Sequence, residues 1–148
     1  MPSSALRINR LAGSVTLLGA CALGAWTALA QAPAPRTVRD GVFSAAQVER
    51  GKHEFNAICM NCHEIEEFTG PGAYFEEAEG KTVWDLFEYI WAEMPEDEPA
   101  SLDPNDYAAI LAYTLSAYGL PTGDTAMPID RKSLEAIKIT RPELPAGR

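Results

Sequence analysis

The spacing of apolar and polar residues along the chain predicts helices throughout, and no segment alternates as a strand would. The first helix has the clearest start signal. Ser44 and Gln47 are spaced as a capping box, and Phe43 and Val48 occupy the positions of a hydrophobic staple around it. We therefore expect a helix that runs from Ala45 into the region of Cys59.

Two longer apolar stripes predict further helices. Residues 82–93 carry one stripe, and the helix they form must end near Met94 because Pro95 cannot continue it. A second helix is expected to start at Asp103, a good N-cap, with Pro104 in the first helical position and Gly119 as the C-cap. Shorter helices are predicted at 74–79 and at 131–137, the latter capped by Asp130.

Composition and turn residues divide the chain into one domain with flanking segments. Residues 31–42 contain Pro33 and Pro35 and are interpreted as an irregular linker. Residues 43–120 contain the longer helices and form the expected all-α domain. Residues 121–148 are interpreted as a polar C-terminal arm.

The first thirty residues have the pattern of a secretory signal peptide. Arg7 and Arg10 give a positive start, residues 11–30 are uncharged, and Ala28–Ala30 is a small-x-small cleavage site. Two alternatives place the protein on a membrane: lipidation of Cys21, or an uncleaved leader that acts as an anchor. In each case we expect an exported, periplasmic protein.

The chain is acidic. Its net charge is −9, and loss of Arg7 and Arg10 with the leader leaves ten basic against twenty-one acidic side chains, a net charge of −11. This balance argues against nucleic-acid binding. The acids either solvate the surface or steer a redox partner that has a basic docking surface.

Cys59-Met60-Asn61-Cys62-His63 has the spacing at which haem is covalently attached to protein. Two thiols on one turn can add to the two vinyl groups of a porphyrin, and the adjacent imidazole can bind its iron. A redox dithiol and a zinc site are the alternatives. The first is expected after a strand, and the second needs four ligands.

A second axial ligand is expected from the opposite side of the haem, and Met94 is the first choice because it lies in a loop between two apolar helices. Met127, also followed by proline, and His53 are the alternatives. Met60 lies between the attachment cysteines, on the wrong side. The carbonyl of Pro71 is a candidate acceptor for the Nδ1 hydrogen of His63.

Residues 42–120 resemble a class I c-type cytochrome, and are most similar to small mono-haem domains found alone or fused to exported quinoprotein dehydrogenases. The resemblance implies a compact helical domain wrapped around one haem c, with His63 and Met94 as axial ligands and the first and last helices crossing near Gly51 and Ala112. The resemblance rests on Val42–Gln47, Gly51, Phe55, Cys59–His63, Gly70-Pro71, Met94-Pro95, Ser101-Leu102 and Ala112–Leu115.

The expected function is electron transfer and not catalysis. With both axial positions filled by protein, substrates cannot reach the iron easily, and electrons pass through the porphyrin edge. Such domains relay electrons from a dehydrogenase to a respiratory acceptor. The alternatives are a haem enzyme or ligand sensor with an open distal site, and a dedicated cytochrome subunit of a dehydrogenase or oxidase complex.

Overall fold

The computed structural model describes residues 35–70 and 72–142. The expected signal peptide, the lipidation candidate Cys21 and the haem-contact candidate Pro71 lie outside the described residues. The part described is mostly helical, which agrees with the all-α prediction. Its elements are β1 (Arg36–Thr37), α1 (Ala45–Ala57), α2 (Tyr74–Glu77), α3 (Val83–Glu93), α4 (Pro104–Ala117), α5 (Arg131–Glu135) and β2 (Ile137–Lys138), together with short 3-10 turns.

The predicted helix starts are confirmed. The backbone N–H of Gln47 donates to the Ser44 hydroxyl and the Ser44 N–H donates to the Gln47 side-chain oxygen, both at 3.2 Å, which is the reciprocal capping box of α1. Asp103 caps α4, with Pro104 in the first helical position, and Asp130 caps α5. These caps involve residues three or fewer positions apart, so local sequence is sufficient to specify them.

Helices α1 and α4 pack against each other at Gly51. A Cβ atom built on Gly51 would lie 1.8 Å from the carbonyl oxygen of Ala109, so only glycine permits this approach of the two backbones. The crossing was expected near Ala112, and the closest backbone is that of Ala109, one turn earlier on the same helix. Ala109 and Ala112 are both fully buried.

Residues 31–42 were interpreted as a linker, and this is wrong for residues 35–42, the part that the structure describes. Val38 and Val42 are buried in the core, and β1 pairs in parallel with β2, with Arg36 opposite Ile137. This short sheet also corrects the expectation that the chain contains no strand. Its two strands are about a hundred residues apart in sequence, so neither carries a local signal of the pairing.

The C-terminal segment is likewise part of the domain and not a free polar arm. Its apolar residues Met127, Leu134, Ile137 and Ile139 are buried in the core. The helix predicted at 131–137 ends at Glu135, because Ile137 enters β2. Within the described residues, none of the helices has the length and apolar character needed to cross a membrane.

Candidate functional site

A cavity of about 1020 Å³ lies beside α1 and α4. This volume is at the upper end of the range for small-molecule and cofactor sites, roughly 300–1,000 Å³. One wall contains a cluster of aromatic rings, with the Phe68 ring 5.7 Å from Phe55 and 6.3 Å from Phe75 between centroids. The lining also includes Ile58, Cys59, Cys62, His63, Leu86, Ile90, Met94, Leu102, Tyr107, Ile110, Leu111 and Thr114.

The two cysteines and His63 reach this cavity from a single turn. Helix α1 ends at Ala57, and a 3-10 turn follows in which the N–H groups of Cys62 and His63 both donate to the Cys59 carbonyl, at 3.0 and 2.9 Å. Neither thiol is in a disulfide. The turn follows a helix and not a strand, which is unlike the context expected of a redox dithiol.

The chemistry of Cys59 also differs from that of a redox dithiol. Burial, with a smaller contribution from the nearby Glu54 carboxylate, raises the pKa of the Cys59 thiol to about 11. Reactive cysteines in oxidoreductases have lowered pKa values, because the thiolate is the nucleophile. Cys59 is therefore protonated at neutral pH.

His63 is half-buried, and its ring is held by a carboxylate. Its Nδ1 lies 3.0 Å from Oε2 of Glu67, and its ring centroid is 6.1 Å from that of Phe68. This hydrogen bond is the largest cause that lowers the pKa of Glu67. Because an ionised carboxylate only accepts hydrogen bonds, Nδ1 is the donor in this contact, and in the neutral imidazole Nε2 is then the nitrogen whose lone pair can bind a metal ion. Sequence reasoning missed Glu67, although its position four residues after His63 was a usable signal.

Met94 is the C-cap residue of α3 and also lines the cavity. Its carbonyl accepts a hydrogen bond of 2.8 Å from the hydroxyl of Tyr107, a buried residue of α4. The same hydroxyl accepts a bond of 3.4 Å from the Leu102 N–H. Tyr107 therefore binds the backbone at both ends of the loop that follows Met94.

The other candidates for an iron ligand do not line this cavity. Met127 is 3% exposed and belongs to the hydrophobic core, away from the cavity lining. Its backbone is held by Gln47, whose side chain accepts from the Met127 N–H at 2.6 Å and donates to the Met127 carbonyl at 3.1 Å. The His53 side chain is 80% exposed, and Met60 is 48% exposed. Neither of these two residues lines the cavity.

The charge at the cavity edge is negative. Glu96, Asp97 and Glu98 lie in the loop after Met94 and form part of the lining, and the described lining contains no lysine or arginine. A smaller cavity of about 310 Å³ shares His63, Tyr74 and Met94 with the larger one.

The donor set fits a covalently attached haem. Two free thiols, one imidazole and one thioether line a single, largely apolar cavity. Among residues 35–70 and 72–142, no three side chains of histidine, cysteine, aspartate or glutamate are grouped so that they could hold a metal ion. Comparison with family models, curated proteins and solved structures finds no match to this chain.

Proposed function

We propose that the protein is a mono-haem c-type cytochrome that carries single electrons from an exported dehydrogenase, or another donor, to a respiratory acceptor. The observation that carries the proposal is the shared cavity of Cys59, Cys62, His63 and Met94. Two of these side chains would attach the haem, and the other two would bind its iron. The competing ligand candidates Met127 and His53 lie outside that lining.

Each residue has a separate role in this proposal. The Cys59 and Cys62 thiols would hold the haem covalently, and His63 and Met94 would bind its iron. Haem bound in this way supplies a reversible one-electron change at its iron. The lining is mainly aromatic and aliphatic, and the hydrogen bond from Tyr107 holds the Met94 backbone in place. With both axial ligands supplied by the protein, the bound haem would exchange electrons and would not bind a substrate at its iron.

The proposed partner is a redox protein with a basic docking surface. Its support is the acidic segment Glu96–Glu98 at the cavity edge, together with the negative net charge of the chain. Complementary charge raises the rate of encounter between partners. The location proposed for this exchange is the periplasm, on the basis of the N-terminal sequence pattern.

Visible spectra of the exported protein, with and without carbon monoxide, test the axial ligand set. We expect low-spin spectra in both oxidation states and slow reaction of the ferrous form with carbon monoxide. A high-spin spectrum with rapid carbon monoxide binding would instead indicate an open distal site, as in a haem enzyme or sensor. Co-purification with an enzyme at high salt would indicate a dedicated subunit and would exclude a carrier that docks by charge alone.

A further inference from the structure

The carboxylate of Glu67 is held in place from two sides. A 3-10 turn, Ile65–Phe68, follows His63, and Glu64 is its N-cap residue. Oε1 of Glu67 accepts a hydrogen bond of 3.2 Å from the Glu64 N–H, while Oε2 lies 3.0 Å from Nδ1 of His63. One oxygen is therefore anchored to the backbone, and the other is aimed at the imidazole.

This arrangement has a chemical consequence for His63. A hydrogen bond from Nδ1–H to a carboxylate gives the ring partial imidazolate character, and so makes Nε2 a stronger donor to a metal ion. A stronger donor stabilises ferric iron more than ferrous iron. A backbone carbonyl in the same position is neutral and polarises the ring less, since hydrogen bonds to an ionised acceptor are roughly twice as strong.

We propose, on the basis of the haem function proposed above, that Glu67 is a positioning residue that lowers the reduction potential of the haem by accepting the Nδ1 hydrogen of His63. The carbonyl of Pro71, the acceptor candidate from sequence, lies outside the described residues. Glu67 offers a charged acceptor in its place. With this charged acceptor, the reduction potential should be lower than that of the same His/Met haem whose histidine donates to a neutral carbonyl.

The matched variants are Glu67→Gln and Glu66→Gln. Each removes one negative charge from the same turn. The Glu67 carboxylate accepts the hydrogen bond from His63, whereas the backbone carbonyl of Glu66 accepts from the Thr69 hydroxyl. Glutamine at position 67 retains an oxygen that can accept from the Glu64 N–H. The expected result for Glu67→Gln is a shift of the one-electron equilibrium toward ferrous haem by about tenfold, or about 59 mV. We expect Glu66→Gln to give a much smaller shift.

The experiment measures the midpoint potential together with the NMR signal of the Nδ1 proton of His63. In the unsubstituted protein and in Glu66→Gln this proton should exchange slowly with water, and in Glu67→Gln it should exchange faster. Equal shifts of the midpoint potential in the two variants would overturn the proposal, because loss of one negative charge would then explain the effect without the hydrogen bond to His63. The proposal would also be overturned if Glu67→Gln left the exchange rate of the His63 Nδ1 proton unchanged.

Failure of this proposal is distinguishable from failure of the haem function. If covalent haem is present and the two variants behave alike, only the role of Glu67 is wrong. If the unsubstituted protein carries no covalent haem after export beside a cytochrome c maturation system, both proposals are wrong.

Discussion

Met94 and Met127 are each followed by proline, and they lie in two regions of the molecule with opposite properties. Met94 lines the large cavity, beside an acidic loop. Met127 is buried in the apolar core, beyond that cavity. In each region a polar side chain from a helix holds the methionine backbone: Tyr107 of α4 for Met94, and Gln47 of α1 for Met127.

The difference shows that the dipeptide itself does not determine the surroundings of the methionine. In each region the side chain that binds the methionine backbone comes from a different part of the sequence. Tyr107 is thirteen residues from Met94, and Gln47 is eighty residues from Met127. The account therefore predicts that each region can be disturbed separately, with haem properties changing in one and stability in the other.

The largest effects are expected from truncating the two methionines. Met94→Ala removes the proposed distal ligand, so the reduction potential should fall by on the order of 0.1 V, within the roughly 0.8 V range that axial ligands span. The ferrous form should then bind carbon monoxide rapidly. Potentiometry and stopped-flow spectroscopy measure these changes.

Met127→Ala is the matched control for that variant. It should lower the free energy of unfolding by about 2–5 kcal/mol, as other large-to-small core substitutions do. The potential and the spectrum should stay unchanged. If Met127→Ala opened the iron to carbon monoxide and Met94→Ala did not, the ligand assignment would be reversed.

Gln47→Ala should have the next largest effect. It removes both hydrogen bonds to the Met127 backbone and the side-chain half of the capping box at Ser44. At about 1 kcal/mol for each of these three bonds, the expected loss is about 3 kcal/mol in denaturant unfolding. Gln47→Glu keeps an acceptor for the Met127 N–H and should lose less. A shifted reduction potential in either variant would show that the two regions are coupled.

Tyr107→Phe probes the cavity side with a smaller change. The Met94 carbonyl loses its partner, so stability should fall by about 1 kcal/mol, and exogenous imidazole should displace Met94 several-fold faster. Tyr113→Phe is a suitable control, because Tyr113 is on the same helix and does not itself line the cavity, although its ring contacts Phe55 of the cavity wall. Equal rates of imidazole binding in the two variants would show that the Tyr107 hydroxyl does not stabilise the position of Met94.

The smallest effect is expected from neutralising Glu96, Asp97 and Glu98 together. Electron transfer to a basic redox partner should slow by a few-fold at low salt, and the difference should disappear near 1 M salt, where the screening length is about 3 Å. The control is the triple variant Glu49→Gln, Glu88→Gln and Asp124→Asn, whose positions lie outside the cavity lining. If this control slowed transfer equally, net charge and not the position of the acids would explain the effect.

Sequence predicted the helices well because their start signals are local. Ser44 with Gln47, Asp103 and Asp130 each act on backbone groups within three residues, so their roles follow from spacing alone. The chemistry of the Cys59–His63 turn is equally local. The interaction of Glu67 with His63 is also local, because the two residues are four positions apart, but it was not predicted.

The features that sequence did not predict depend on contacts between distant segments. Three examples are the pairing of β1 with β2, the burial of Val38 and the hydrogen bonds between Gln47 and the Met127 backbone. Each joins parts of the chain that no periodic pattern links. Tyr107 fits an apolar stripe, and the partner of its hydroxyl becomes visible only when α4 is placed beside the Met94 loop. Side-chain pattern specifies which face is buried, but not which polar group it meets there.

Intact-protein mass spectrometry of the exported protein measures whether haem is covalently attached to the chain. The chain should be produced with a cytochrome c maturation system, beside the double variant Cys59→Ala/Cys62→Ala. The account predicts that denatured protein retains the mass of one haem, and that the double variant lacks this mass. A chain without added haem, or a double variant that retains it after denaturation, would contradict the account.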